Sequence, residues 1–118
     1  MRQIEHNMQV ACVRWFRLQY SQYSLLLFAV PNGGRRDRTT GAKLKAEGVV
    51  AGVADIILLV PSNGYHGLLI ELKTATGRQS ESQRAFMAEA EKQGYLYVVV
   101  RSVDDFVNMI KTYLDGAK

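Results

Sequence analysis

Two apolar runs, Ala54 to Val60 and Leu68 to Lys73, flank the segment Pro61-Ser62-Asn63-Gly64. An Asn-Gly pair between strand-like runs is among the strongest local signals for a hairpin, so the two runs are expected to pair antiparallel. The other elements are placed around this pair. Ile4, Met8, Ala11, Cys12, Trp15 and Leu18 recur at helical spacing and predict an amphipathic helix over the first twenty or so residues. Leu25 to Val30 reads as a strand running into the loop Pro31-Asn32-Gly33-Gly34. Thr39 or Thr40 is expected to cap a short helix through Glu47, with Gly48 as its stop. Ser80 and Gln83 form a capping-box pattern ahead of a helix that Gly94 closes. Tyr95 to Val100 reads as a buried strand. Ser102 and Asp105 then open a helix whose apolar face is Val103, Phe106, Val107, Ile110 and Leu114.

The predicted order is helix, three strands with a short helical insertion, helix, strand, helix. It describes an α/β chain in which a central mixed β-sheet is flanked by helices on both faces. With 118 residues the chain is expected to form one domain spanning 1–118. No apolar run approaches the roughly 20 residues of a membrane helix, so no membrane partner is expected. The opening Met1 to Met8 lacks a signal-peptide pattern, and the expected workplace is inside a cell. The single cysteine, Cys12, excludes an intramolecular disulfide framework and a Cys-rich zinc site.

Charge placement carries more information than the net charge of +4. Arg35, Arg36 and Arg38 follow directly after Gly33-Gly34, with Lys43 and Lys45 close behind. Such a patch has the electrostatic character that phosphate binding requires. Asn32, Gly33, Gly34, Arg35, Arg36, Arg38 and Lys43 are therefore candidate DNA contacts, through backbone amides and guanidinium groups; a plain surface loop is the competing reading.

Asp55 interrupts the greasy segment Val53 to Val60, and Glu71 and Lys73 sit on the following strand. Because side chains alternate along a strand, Glu71 and Lys73 share one face while Leu68, Ile70 and Leu72 share the other. An antiparallel return brings the end of the second run beside the start of the first, making Asp55 and Glu71 neighbours. Two close carboxylates repel unless a cation lies between them, and oxygen-only ligation suits Mg²⁺ or Mn²⁺. A lysine ammonium beside that ion completes a set suited to phosphodiester hydrolysis. The plainer alternative is a salt-bridge network at a sheet edge.

Gly52-Val53-Ala54-Asp55-Ile56, Ile70-Glu71-Leu72-Lys73 and the stretch Gly77 to Gln83 resemble the VRR-NUC branch of the PD-(D/E)XK nucleases, as does Pro31-Asn32-Gly33-Gly34. The resemblance covers nearly the whole chain and implies a restriction-endonuclease-like core. It implies that Asp55 and Glu71 bind the metal, that the carbonyl of Leu72 adds a ligand, and that Lys73 is catalytic. It further implies a metal-site role for Glu5 and a catalytic-site role for Gln83. The residues leave both open: Glu5 shares a helical stripe with Gln9, Cys12, Val13 and Phe16 but also suits a helix N-terminus, and Gln83 is fully explained as a cap. The family commonly has Pro where Ala54 stands, which bears on loop stiffness rather than on ligation.

Stand-alone members of this type resemble Holliday-junction resolvases, homodimers that cut branched DNA. The expected activity is a structure-selective DNA endonuclease working in the cytoplasm of a bacterium or a phage-infected host cell. The alternatives are a flap or single-strand nuclease, an RNA nuclease, and a non-catalytic DNA-binding module on the same fold.

Overall fold

The computed structural model describes residues 2–31 and 38–115. Its first helix, α1 (Arg2–Gln19), buries Met8, Cys12 and Phe16 at four-residue intervals, with Val13 and Trp15 packed partly buried beside them. A 3-10 helix, Ser21–Leu26, follows and delivers the chain into β1 (Leu27–Ala29). The expected strand over Leu25 to Val30 is thus cut to three residues. Leu25 is 94% exposed, so the apolar run extends beyond the buried part of the sheet. β1 is an edge strand whose ladder with β2 covers three residue pairs, extended by single bonds from Leu59 N to Leu26 O and from Val30 N to Asp55 O.

Helix α2 (Arg38–Ala46) comes next, and Gly48 adopts a φ of 104° just beyond it. The helix starts at Arg38, which places Thr39 and Thr40 inside it and corrects the expectation that one of them is the cap. The hairpin forms as expected: β2 (Ile56–Leu58) pairs antiparallel with β3 (Leu68–Leu72), Ile56 facing Ile70 and Leu58 facing Leu68. Asn63 takes a φ of 53° and Gly64 one of 85° at the turn, left-handed conformations that Asn and Gly tolerate best. Helix α3 (Glu81–Lys92) crosses to β4 (Leu96–Val100), which runs parallel to β3, the geometry that needs a helical crossover. Helix α4 (Val103–Asp115) ends the described chain. The N-caps predicted at Ser80 and Ser102 form. Ser80 Oγ accepts from Gln83 N while Gln83 Oε1 accepts from Ser80 N, and Ser102 Oγ accepts from Asp105 N.

The sheet order is β1-β2-β3-β4, and alternation along the strands sorts its side chains between two layers. On one face Leu27, Ile56, Leu58, Leu68, Ile70, Leu72 and Val100 pack beneath α1 and α4, meeting Phe16, Phe106, Ile110 and Tyr113. On the other, Ala54, Leu69 and Tyr97 meet Phe86, Met87 and Ala90 of α3. Glu71 belongs to this second face by its place on β3, between Leu69 and Lys73. Among the described residues no helix is long and apolar enough to cross a membrane.

Candidate active site

The site gathers at the end of the sheet where β2 begins and β3 ends. Asp55 sits at a bend just before β2, its N–H donating to Ile70 O at 2.9 Å. Extending the β2–β3 register by one pair sets it opposite Glu71. Its Oδ2 accepts the Leu72 N–H at 2.7 Å, so the carboxylate lies against the backbone of β3. Burial raises the Asp55 pKa; the Leu72 N–H opposes this, the charges of Glu71 and Glu5 add to it, and Lys73 pulls the other way. Glu5 on α1 therefore lies within electrostatic reach of Asp55, the direction its helical stripe pointed to.

Glu71 is fully buried. Its Oε1 accepts from the Tyr97 hydroxyl at 2.7 Å and from Gln79 Nε2 at 3.0 Å. Its Oε2 is buried with no hydrogen-bond partner and lies 3.4 Å from Lys73 Nζ. An ionised oxygen withdrawn from water with only one flanking ammonium is costly, and it is the donor that a divalent cation would satisfy. The donor set thus suits a hard cation. It is not a preformed cage: among the described residues no three His, Cys, Asp or Glu side chains group closely enough to hold a metal ion. The charges of Glu71 and Glu5 both act on the Asp55 carboxyl.

Lys73 lies just past β3, where its N–H donates to Val100 O at 3.0 Å. The turn after it is fastened by Arg101, whose Nη1 donates to Thr74 O at 2.8 Å and to Gly77 O at 2.7 Å. A methyl group on Gly77 would come within 3.1 Å of Thr74 Oγ1, a tight contact, and 3.5 Å of the Lys73 stem, an ordinary one, so this turn packs directly against the lysine. Gly52 does similar work on the other approach. At φ 87° its α-carbon faces the first turn of α3 so closely that a Cβ would stand 2.5 Å from the Ser82 backbone. The loop leading to Asp55 is thereby seated on α3.

The remaining predicted residues divide. Gln83 uses its side-chain carbonyl in the cap, beside the seated Gly52 loop, and among the described residues its side chain makes no hydrogen bond to Asp55, Glu71 or Lys73. Lys43 is exposed on α2, and Arg38 opens that helix. Asn32, Gly33, Gly34, Arg35 and Arg36 lie outside the described residues. Tyr97, Gln79 and Arg101 escaped the sequence reading. Tyr97 had a usable signal, since a tyrosine in a buried strand needs a partner for its hydroxyl. Burial and the bond to Glu71 push its pKa well up, so it stays a proton donor.

Comparison with known proteins fits this arrangement. The family model of the VRR-NUC domain matches residues 3–104. The chain belongs to the VRR-NUC family. VRR-NUC domains are part of the PD-(D/E)XK nuclease superfamily, and the α/β layout follows that placement. A solved structure titled as a VRR_NUC domain protein superimposes with a TM-score of 0.83 at 26% identity, covering 94% of this chain and 88% of that one. A search of curated proteins finds no match. Within the VRR-NUC match fall Asp55, Glu71 and Lys73, and so do Gly52, Gln79, Tyr97 and Arg101, which hold their surroundings in place.

Proposed function

We propose that this VRR-NUC chain is a divalent-metal-dependent DNA endonuclease. The observation that carries the reading is the buried Oε2 of Glu71, which accepts no hydrogen bond and lies beside the Lys73 ammonium, next to an Asp55 carboxyl whose pKa is raised. Asp55, Glu71 and the carbonyl of Leu72 would hold Mg²⁺ or Mn²⁺, with Glu5 completing the acidic side. When bound, such an ion polarises the phosphoryl oxygen and lowers the pKa of water.

The chain's own residues supply the rest. The Leu72 N–H holds Asp55 in place through Oδ2. Lys73, 15% exposed at the rim, presents an ammonium that steadies the attacking water or the negative charge growing on the phosphate. Gln83, at the first turn of α3, borders the site through the Gly52 loop. Lys43 on α2 and the glycine–arginine segment Asn32, Gly33, Gly34, Arg35, Arg36 and Arg38 provide the basic surface that grips the DNA backbone. The preferred substrate is branched DNA such as a four-way junction, cut by a homodimer whose two-fold symmetry suits a symmetric substrate. Such an enzyme works in the cytoplasm.

The test is to incubate the protein with labelled linear, flap and four-way DNA, and with RNA, in Mn²⁺ and in EDTA. Cleavage is expected in Mn²⁺ alone and strongest on the four-way substrate. Lys73→Ala is expected to lose about 10²–10³-fold in rate while still binding DNA. Binding without cleavage of any substrate in either Mg²⁺ or Mn²⁺ would replace the enzyme with a DNA-binding module.

A further inference from the structure

Two side chains from outside β3 hold one oxygen of Glu71. Tyr97, on β4, donates its hydroxyl to Oε1 at 2.7 Å, and Gln79, in the loop between β3 and α3, donates Nε2 to the same atom at 3.0 Å. A carboxylate offers about four lone-pair sites, and these two donors occupy one oxygen of the pair. The other oxygen is left buried and without a hydrogen bond, 3.4 Å from Lys73 Nζ.

Both donors are themselves held. The Tyr97 ring meets Phe86 of α3 edge-on at 6.1 Å. Gln79 Nε2 lies 3.7 Å from Met87 Sδ, and its backbone carbonyl accepts from Arg84 Nη1 at 2.8 Å. Ser80, the cap of α3, follows Gln79 directly, so the amide is carried at the helix entrance. Any turn of the Glu71 carboxyl plane would break both bonds, one of them fully buried, and leave their donors unsatisfied.

The chemistry of the donors matters as much as their placement. A phenol and an amide are neutral: they stabilise the ionised carboxylate without cancelling its charge. An arginine in the same place would have occupied both oxygens with a bidentate fork and neutralised them.

We propose that Tyr97 and Gln79 are positioning residues that clamp Oε1 of Glu71 so that Oε2 stays oriented and free to ligate a divalent cation. This rests on the reading of Glu71 as a metal ligand. The pair sets the affinity for the ion, and neither residue touches the substrate.

The experiment measures Mn²⁺ binding to the full chain without DNA, by calorimetry or by the spin-resonance signal of free Mn²⁺, for wild type, Tyr97→Phe and Gln79→Met. Both replacements keep much of the original bulk, so Phe86 and Met87 retain neighbours. Each variant is expected to bind Mn²⁺ about 10–100-fold more weakly, and cleavage lost at low Mn²⁺ is expected to return as Mn²⁺ is raised. If Tyr97→Phe folds poorly, Gln79→Met, altered in a half-buried loop residue, carries the test alone. Wild-type affinity in the variants, even with lower melting temperatures in EDTA, would make both residues merely structural and overturn the proposal. Failure of wild type itself to bind Mn²⁺ would overturn the ligand reading and the clamp with it, so the two failures are distinguishable.

Discussion

The two faces of the sheet are built for different purposes. Under α1 and α4 the packing is dry and nearly all apolar: Phe16, Leu27, Ile56, Leu58, Leu68, Ile70, Phe106 and Ile110 have no exposed surface. The Tyr113 hydroxyl, which reaches this layer, donates to Val60 O at 2.6 Å. Under α3, among the described residues, only Ala54, Leu69 and Tyr97 are buried hydrophobics, and α3 itself contributes no fully buried residue. That thinner face carries Glu71, whose Oε2 accepts no hydrogen bond and lies beside Lys73. The α1 and α4 side therefore carries the larger apolar core, and the α3 side carries the fully buried Glu71 carboxyl.

The sharpest way to break this comparison is to truncate one phenylalanine on each face. Phe106→Ala on the α4 side is expected to cost about 3–5 kcal/mol, a large share of the stability of a domain this size. Phe86→Ala on α3, where the ring is only half-buried, is expected to cost about 1–2 kcal/mol. Urea denaturation of both measures the difference, and equal losses would show that the α3 face contributes as much as its opposite.

A smaller effect is expected from Gly52→Ala, which tests how the thin face positions the site. A methyl group there would stand 2.5 Å from the Ser82 backbone, in a backbone conformation that alanine resists. The expected loss is about 1–3 kcal/mol, from crowding and strain together, and cleavage should fall further than at a surface control such as Ala88→Gly. Unchanged cleavage would mean that the Asp55 loop does not depend on its seat against α3.

The smallest effect concerns the charge of Asp55. Its folded pKa lies above the ordinary 3.8, so the folded state holds the proton more tightly than the unfolded chain does. Stability from this group is therefore present at low pH and is lost as pH rises through the raised value. Asp55→Asn stays neutral and can still accept the Leu72 N–H. In EDTA it is expected to melt above wild type by a margin that opens as pH rises from about 4 and then levels off. Adding Mn²⁺ should close that margin by stabilising wild type alone. A margin that is constant with pH would locate the effect elsewhere.

Much of this architecture was legible because it is local. Residues i and i+4 set the buried stripe of α1, Ser80 with Gln83 and Ser102 with Asp105 set two helix starts, and Asn63-Gly64 set the hairpin that brings Asp55 to Glu71. The limits of β1 were less legible, because an apolar run does not reveal where its ladder partner stops. For the site, the charges themselves could be picked out from Asp55, Glu71 and Lys73, since charged side chains within apolar strands are conspicuous. Their supports could not.

Tyr97 lies 26 residues from Glu71, Arg101 lies 27 from Thr74, and Gly52 meets Ser82 across the fold. Ser62 of the hairpin turn donates to Tyr113 O near the end of α4. The chain by itself determined most of the helices, the hairpin strands and which acidic residues face each other across the hairpin, because those follow from spacing over a few residues. Tertiary structure alone decided which oxygen of Glu71 is clamped and which is left open, because that depends on distant side chains meeting at one atom, and no local repeat encodes such a meeting.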